Sequence, residues 1–347
     1  MSDKEHAEEN GKTIYGPVPS WRYGLSLGID LTPGPKRCTF NCIYCQLGPT
    51  RRPVREPLTI QPKLPTLERV LDDLDAYLTR IDSQSLDVVT YSGSGEPTLN
   101  LRLGAVAKQL RTRLVKLPQV ILTNGTLLLQ PQVLNGLSEL DIVTVKFDAG
   151  DDETLHEINR PTIPFRHAEL MAGIRALRAQ TRVTIALEVM LLQTTTGISN
   201  MKGEPRTHLL SALKQMAPHV DLIQLYTPWR PPSDSTVEAL PKQALLDFSR
   251  ELSVEVGKEK LWIYGIHDAR GKAAAWKVHK SLREELLTVL SRRPCRISDL
   301  TLTLGIPFHR ILAELKNLQK AGNVDVQRYK GEIYYFYQDY GESVELS

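Results

Sequence analysis

Apolar and polar positions alternate along the chain with two different periods. Short apolar and β-branched runs predict strands at residues 25–31, 86–91, 119–123, 141–147, 182–192 and 220–227. Between these runs, apolar residues at helical spacing predict helices at 67–81, 101–113, 130–137, 165–180 and 206–217. Strands and helices therefore follow one another in six β/α units.

The pattern changes after about residue 275. Helices are predicted at 281–290, 298–304 and 308–320, followed by a two-stranded ribbon at 324–329 and 332–337. This order of elements is typical of a winged-helix domain. We therefore expect three parts, which are a flexible N-terminal arm (1–13), a β/α core (14–275) and a small winged-helix-like domain (280–340).

The predicted core strands are nearly continuous apolar runs, as 141–146 and 183–189 illustrate. Such runs are typical of parallel strands covered on both faces, so we expect an α/β fold with a partial (β/α)6 barrel. In barrels of this kind the chemistry lies at the carboxyl ends of the strands. The residues predicted at those ends are Cys38–Cys45, Gly93–Glu96, Asn124, Lys146, Asp148, Glu188 and Tyr226.

Composition and charge narrow the class of protein only slightly. The 347 residues are 41% apolar and 24% charged with a formal net charge of +3, which is ordinary for a globular protein and too balanced to indicate a nucleic-acid partner. We expect no membrane contact and a cytoplasmic location, because no apolar run is long enough to span a membrane and the N-terminus does not resemble a signal peptide.

Three of the four cysteines lie within eight residues, as Cys38, Cys42 and Cys45 in a C-x3-C-x2-C pattern. Thiolates at this spacing can bind one face of an iron–sulfur cluster from a single loop. A structural zinc ion would require a fourth ligand, and no other Cys or His occurs between residues 7 and 155. Cysteines that only pack are disfavoured because the surrounding loop is rich in Pro, Gly and Lys.

This triplet, with the aromatic Tyr44 before its last cysteine, resembles the signature of the radical S-adenosylmethionine (SAM) superfamily. The resemblance implies a radical SAM barrel in which Cys38, Cys42 and Cys45 hold a [4Fe–4S] cluster. It further implies that the fourth iron binds the methionine part of SAM, and that one electron cleaves SAM to methionine and a 5′-deoxyadenosyl radical.

The segment Ser92–Thr98 resembles the superfamily's glycine-rich motif on the second strand. The resemblance implies that Gly93, Ser94 and Gly95 let the backbone approach SAM and that Glu96 meets its ammonium group. It also implies a polar contact to the SAM ribose from Asp148 or Lys146, or from Glu188 on the next strand.

Segments Tyr15–Arg22, Ser26–Asp30 and Cys42–Gln46 further resemble Fe–S oxidoreductases related to the tRNA wyosine-base enzymes. The sequence departs from those enzymes because it lacks their additional N-terminal cysteines, and its remaining cysteine is Cys295. The resemblance implies an electron donor such as a flavodoxin or ferredoxin and a substrate that is either a small molecule or a nucleotide in RNA.

Several of these residues also have structural explanations. An ion pair with a carboxylate would account for Lys146, an N-cap for Asp148, and a turn with positive φ for Asn124. A strand carboxylate such as Glu188 needs a partner, for which Lys146 is a candidate. Arg160 and Arg230 are candidate contacts to an anionic substrate group or are ordinary surface arginines.

The second helix of the winged-helix-like domain offers cationic side chains for nucleic acid, namely His309, Arg310, Lys316 and Lys320. Nucleic-acid binding stays open but is not favoured, because residues 280–347 hold ten Lys and Arg against nine Asp and Glu. The alternative is a domain with a small core of Phe308, Ile311, Leu312, Leu315 and Leu318 that docks on a protein or caps the barrel. The alternative for the whole chain is an Fe–S redox-sensing DNA-binding regulator, which would not cleave SAM.

Overall fold

The computed structural model describes residues 11–51, 53–268, 276 and 281–338. This part of the chain contains the strands β1 (Ile14–Ser20), β2 (Gly24–Ile29), β3 (Val88–Tyr91), β4 (Gln119–Thr123), β5 (Ile142–Lys146), β6 (Thr184–Met190), β7 (Leu192–Thr194), β8 (Leu222–Tyr226), β9 (Val237–Ala239), β10 (Leu261–Ile263), β11 (Val324–Tyr329) and β12 (Glu332–Tyr337). Its helices are α1 (Leu67–Leu78), α2 (Leu103–Arg113), α3 (Pro131–Leu137), α4 (Asp152–Ile158), α5 (His167–Gln180), α6 (Gly203–Met216), α7 (Lys242–Val256), α8 (Leu282–Leu290), α9 (Ile297–Leu304) and α10 (Phe308–Lys320).

Eight strands form one curled sheet in the order β1-β2-β3-β4-β5-β6-β8-β10. The pairs from β2 to β10 are all parallel, and β1 is added antiparallel to β2 at one edge. Because β1 and β10 are opposite edges of an open sheet, the architecture is a partial barrel, as the sequence predicted. The carboxyl ends of the seven parallel strands meet at one mouth.

The parallel strands owe their burial to continuous apolar composition. Every residue of β2 and β3 is buried, and the apolar side chains of β4 to β8 join the same core as the inward faces of the surrounding helices. Helix α1 begins after Thr66, whose side chain accepts from the Arg69 N–H as an N-cap. Its Val70 and Leu74 are fully buried and form the face that packs on the barrel core.

The sequence analysis did not predict several elements of the core, among them the short strands β7 and β9. Strand β1 contains two prolines, which lowers its strand signal and suits an edge position, and β10 is only three residues long. Helices α4 and α7 were also not predicted. The barrel therefore has one parallel strand more than the six predicted units, together with the antiparallel edge strand.

Three helices and the β11–β12 ribbon follow the barrel, in the order and near the bounds that the sequence predicted. Their apolar side chains form a separate core that includes Ile311, Leu315 and Leu318, whereas Phe308 is 56% exposed. Tyr15 and Val18 of β1 belong to this second core, while Ile14 belongs to the barrel core. The edge strand β1 is thus shared between the barrel and the C-terminal elements.

Two expectations for the termini fall largely outside the described residues. The predicted N-terminal arm covers residues 1–13, of which 1–10 are not described. Its last residue, Thr13, is buried and donates to the Asp73 carboxylate through both its N–H and its hydroxyl. Residues 339–347 also lie outside the described part. None of the described helices is both long and apolar enough to cross a bilayer.

Candidate functional site

The three clustered cysteines lie in the loop after β2, at the mouth of the half-barrel. Each sulfur faces at least one N–H donor from a different part of the chain. The contacts are Phe40 N–H to Cys38 Sγ at 3.4 Å, Asn124 Nδ2 to Cys38 Sγ at 3.6 Å, Asn159 Nδ2 to Cys42 Sγ at 3.5 Å and Lys36 Nζ to Cys45 Sγ at 3.1 Å. Donors of this kind stabilise negative charge on cluster sulfurs.

Burial dominates the electrostatics of this loop. It raises the pKa of the Cys38 thiol, and it raises the pKa of the Cys42 thiol to about 11. Lys36 is half-buried, and its desolvation alone would lower its pKa, but the three cysteines around its ammonium group raise the pKa above the ordinary value. The loop therefore gathers three thiols around one half-buried cation.

The glycine-rich segment after β3 is joined directly to the cysteine loop. The Glu96 N–H donates to the Arg37 carbonyl at 2.9 Å, and Arg37 and Gly95 form a parallel bridge. A Cβ at Gly95 would lie 1.9 Å from the Arg37 carbonyl oxygen, and one at Gly93 would lie 2.3 Å from the Asp30 carboxyl carbon. The physical reason for these glycines is thus close approach to neighbouring protein atoms, a reason the sequence did not reveal.

Glu96 is buried and already accepts several hydrogen bonds. Its Oε1 accepts from the Thr98 N–H, the Thr98 hydroxyl and the Thr123 hydroxyl, and its Oε2 accepts from the Asn124 N–H at 2.7 Å. Burial raises the pKa of Glu96, although these donors oppose the rise. Only Oε2 keeps room for a further donor such as an ammonium group.

Asp30, which the sequence analysis did not identify, binds the glycine-rich segment after β3. Its Oδ2 accepts from the Ser94 N–H at 3.1 Å and from the Ser94 hydroxyl at 2.8 Å. The same oxygen lies 3.1 Å from Nε of Arg292, which comes from the loop after α8. A signal was present in the sequence, since an acidic residue ends the buried run of β2 and a buried carboxylate requires partners.

Asp148 ties the cysteine loop to β6. Its Oδ2 accepts from the Tyr44 hydroxyl and from Asn159 Nδ2, and its Oδ1 accepts from the Met190 N–H at 2.7 Å. Burial raises the pKa of this carboxyl group, and the Lys146 ammonium group 3.4 Å away opposes the rise. The N-cap considered for Asp148 is instead provided by Asp151 at α4.

Four charged or phenolic side chains form a compact group inside the mouth. The Glu188 carboxylate pairs with Arg22 and lies 3.8 Å from Lys146 Nζ, which contacts the Tyr226 hydroxyl. Burial would raise the pKa of Glu188, but the charges of Arg22 and Lys146 outweigh it and hold that pKa below its ordinary value. The ion pairs considered for Lys146 and Glu188 are present, and Arg22 is a partner that the sequence analysis missed.

Aromatic rings continue from this charged group toward the C-terminal elements. Trp21 lies between Tyr226 and Tyr264, with ring centroids 6.0 and 5.4 Å away, and Trp229 stacks on Tyr264 at 5.6 Å. The Arg230 guanidinium lies 3.7 Å from the Trp229 ring centroid. These rings share an apolar cluster with Tyr44 of the cysteine loop, so the lining is continuous from the cysteines to Arg230.

The structure brings nearly all of the predicted site residues to the mouth. Asn124 does not adopt positive φ, which falls on Gly125, and its amide instead donates to Thr39 and Cys38. Arg160 lines a cavity of about 300 Å³ beside Cys42 and lies 3.9 Å from Asp234. Asn159, which contacts the Cys42 sulfur, the Tyr44 hydroxyl and Asp148, was missed because an asparagine after a helix carries no motif of its own.

These residues fit an iron–sulfur cluster. Among the described residues no group of three or more His, Cys, Asp or Glu side chains is close enough to hold a single metal ion. A [4Fe–4S] cube binds its cysteines through separate iron atoms, so its ligands lie farther apart than those of one ion. The three thiols on one loop, with N–H donors aimed at their sulfurs, provide that kind of donor set.

A half-barrel with a three-cysteine loop at its mouth defines a class of iron–sulfur enzymes. Residues 33–215, somewhat more than half of the chain, match the family model of the radical SAM superfamily, and the chain belongs to this superfamily. Enzymes of the superfamily use a [4Fe–4S] cluster and SAM. The comparisons give no support to the alternative of a redox-sensing regulator.

Two relatives match the chain over more than nine tenths of their length, and a third matches over about three fifths of its length. The chain is 26% identical to a UPF0026 protein of Methanocaldococcus jannaschii over 324 residues, covering 92% of this chain and 94% of the relative. It is 29% identical to a UPF0026 protein of Helicobacter pylori over 329 residues, covering 92% and 98%. A probable dual-specificity RNA methyltransferase RlmN of Thermus thermophilus is 29% identical over 222 residues, covering 62% and 58%.

Two solved structures resemble the chain at low TM-scores. Coproporphyrinogen III oxidase of Escherichia coli has a TM-score of 0.44 at 12% identity, covering 97% of this chain and 90% of that chain. A radical SAM methyltransferase of Sphaerobacter thermophilus has a TM-score of 0.43 at 15% identity, covering 71% and 66%.

Proposed function

We propose that this protein is a radical SAM enzyme whose [4Fe–4S] cluster is held by Cys38, Cys42 and Cys45. SAM binds beside the segment Gly93–Glu96, and the substrate binds within the mouth of the half-barrel. When bound, the cluster supplies one electron that cleaves SAM to methionine and a 5′-deoxyadenosyl radical, which takes a hydrogen atom from the substrate.

The observation that carries this proposal is the backbone junction between the cysteine loop and the glycine-rich segment. Because Gly95 packs on the Arg37 carbonyl and Glu96 donates to it, the predicted cluster ligands and the predicted SAM contacts have one fixed relative position. A cofactor that must bind both segments at once needs that fixed geometry. Separate roles for the two segments would not require it.

The chain's own residues then have distinct tasks. Tyr44 and Asn159 both hydrogen-bond Asp148. Because Asp148 also accepts from the Met190 N–H, these contacts hold the cysteine loop against β6. Glu96 offers to the SAM ammonium group its Oε2, which accepts one hydrogen bond within the protein. Asp148 and Glu188 are the proposed contacts to the SAM ribose. The aromatic rings around Trp21 exclude water from the space where a radical would react.

We propose that residues 280–340 form a winged-helix-like domain, with the core at 14–275 and an N-terminal arm at 1–13. The three helices and the β11–β12 ribbon support this division, although β1 supplies side chains to both cores. His309, Arg310, Lys316 and Lys320 are exposed on α10, so this face is open to a partner. The near-neutral charge of the region does not favour nucleic acid as that partner.

The decisive test is anaerobic reconstitution with iron and sulfide, followed by dithionite and SAM. Bound iron and sulfide measure the cluster content. The reaction products to measure are 5′-deoxyadenosine and methionine. A flavodoxin or ferredoxin should replace dithionite as electron donor. We expect four irons per chain in the reconstituted protein, as a [4Fe–4S] cluster requires, and cluster-dependent release of 5′-deoxyadenosine.

The matched control exchanges a cysteine outside the loop. Cys42→Ala should lose both the cluster and SAM cleavage, whereas Cys295→Ala should keep both, because Cys295 is buried in the C-terminal core. Full 5′-deoxyadenosine release by Cys42→Ala, or a stable cluster in the wild type without any SAM cleavage, would contradict the proposed function.

A further inference from the structure

Arg230 and Arg293 lie close enough to repel each other at the seam between the barrel mouth and the C-terminal elements. Arg230 follows β8, and Arg293 follows α8 with only 8% of its surface exposed. Buried Nε of Arg230, and both Nε and one terminal nitrogen of Arg293, donate to no acceptor in the described protein. The remaining contacts are Arg230 to the Gln46 amide oxygen at 3.0 Å and Arg293 to the Pro19 carbonyl at 3.4 Å.

The anionic groups near this pair are already engaged. Asp299 faces both arginines, but its two carboxylate oxygens bind Arg296 at 3.2 and 3.1 Å. Glu332 is 3.8 Å from the same Arg296 and is more than half exposed. No salt bridge connects Arg230 or Arg293 to a carboxylate within the described ranges, so the two arginines share only the more distant charge of Asp299.

The seam holds Arg230 firmly in this position. The Tyr329 hydroxyl donates to the Pro228 carbonyl at 2.9 Å, and the Tyr334 hydroxyl donates to the Trp229 carbonyl at 2.8 Å. The guanidinium itself stacks on the Trp229 ring at 3.7 Å and hydrogen-bonds Gln46, the residue after Cys45. The positive pair is therefore fixed and adjoins the cysteine loop.

Two like charges with unpaired N–H groups are unfavourable in a buried place. Burial, and after it the charge of Arg293, lowers the pKa of Arg230 to about 9, which still leaves the Arg230 guanidinium charged at neutral pH. An arrangement of this kind is stabilised by an anion that accepts the unused hydrogen bonds. Guanidinium groups match the geometry of phosphate oxygens, and a phosphate monoester carries close to two negative charges.

We propose that Arg230 and Arg293 form a binding site for a phosphate group carried by the substrate. The inference rests on the proposed function only for assigning the phosphate to the substrate, because the site itself follows from the two arginines. The Trp229, Tyr264 and Trp21 rings extend from this site toward the cysteine loop, so a molecule anchored by its phosphate would lie along them. The substrate class is thus a phosphorylated organic molecule.

The test is calorimetric titration of the reconstituted protein with inorganic phosphate, and with acetate at the same ionic strength. Phosphate should bind the wild type, and Arg230→Gln and Arg293→Gln should each weaken that binding by at least about tenfold. Arg250→Gln is the matched control, because that arginine is exposed on α7 and pairs only with the neighbouring Asp247. It should bind phosphate as the wild type does.

Circular dichroism shows whether each arginine variant is folded. If one variant is misfolded, the phosphate affinity of the other still tests the site. Unchanged phosphate affinity in both folded variants, no phosphate binding by the wild type, or acetate binding as tight as phosphate would overturn the site. The SAM-cleavage assay is read separately. Phosphate binding without SAM cleavage would reject the proposed function alone, and SAM cleavage without phosphate binding would reject this site alone.

Discussion

Arg292 Nε lies 3.1 Å from Oδ2 of Asp30, and the two side chains are 6% and 1% exposed. Arg292 also donates to the Lys12 carbonyl and stacks over the Tyr15 ring, while Asp30 receives both donors of Ser94. The C-terminal elements thereby reach through one ion pair to the segment that is proposed to contact SAM. This connection makes the C-terminal part a support of the glycine-rich segment.

Arg292→Gln should reduce the free energy of unfolding by about 3–5 kcal/mol, because it leaves the Asp30 carboxylate buried without its cation. It should also weaken SAM binding, since Ser94 depends on the same carboxylate. Urea unfolding and equilibrium SAM binding are the two measurements. The double variant Asp30→Asn, Arg292→Gln should be less destabilised than the sum of the single variants.

The control for this prediction is Arg310→Gln, which removes an exposed arginine from α10. It should change neither the unfolding free energy nor SAM affinity beyond experimental error. Strictly additive effects of the Asp30 and Arg292 variants would show that the ion pair does not couple the two parts.

Gly95→Ala should disrupt the junction between the glycine-rich segment and the cysteine loop. The new Cβ would lie 1.9 Å from the Arg37 carbonyl oxygen, so the two segments must move apart. We expect about a hundredfold slower 5′-deoxyadenosine formation, the cost of a displacement of about 1 Å. The rate per bound cluster is the measurement.

Gly197→Ala is a suitable comparison because its Cβ would meet nothing within 4 Å, although its φ of +101° disfavours alanine. That variant should lose some stability but keep its rate of SAM cleavage. Equal rates in Gly95→Ala and the wild type would rule out a need for the close approach.

Asn124→Ala should make the cluster harder to reduce. The Asn124 amide is 3.6 Å from the Cys38 sulfur, and an N–H donor stabilises the additional negative charge of the reduced state. Its loss should shift the midpoint potential to a more negative value, which a redox titration followed by electron paramagnetic resonance would measure. Asn135→Ala, an exposed change on α3, should leave the potential where it is.

Glu188 should contribute an acid-dependent part of the stability. Its folded pKa lies below the unfolded value of about 4.3, so its contribution is complete above that pH and is lost as the pH falls through the folded pKa. Glu188→Gln should therefore be less stable than the wild type at pH 7, and the difference should shrink below about pH 4. Urea unfolding at pH 7, 5 and 3.5 measures it.

Glu153→Gln, an exposed change on α4, serves as the comparison for the pH series. Its unfolding free energy should follow the wild type at each pH. A gap between Glu188→Gln and the wild type that is constant from pH 7 to 3.5 would show that the carboxylate does not titrate as inferred.

Much of the barrel was predictable because parallel strands buried on both faces must be apolar along their whole length. That composition located six of the seven parallel strands, and it placed Cys38, Glu96 and Asp148 at the ends of strands. Strand β1 was not predicted because its two prolines, which an edge strand tolerates, lower the strand signal. Strand β10 was not predicted because three residues are too few to show a period.

The sequence by itself determined the cysteine triplet, the glycine-rich segment and the β/α order, because each is a local pattern that needs no knowledge of distant contacts. Only the tertiary structure decided which buried charges meet. Asp30 with Arg292, Glu188 with Arg22, and Arg230 with Arg293 are pairs separated by tens to hundreds of residues. Because buried charges are desolvated, contacts between them strongly affect stability. The local sequence pattern does not predict which distant residues make these contacts.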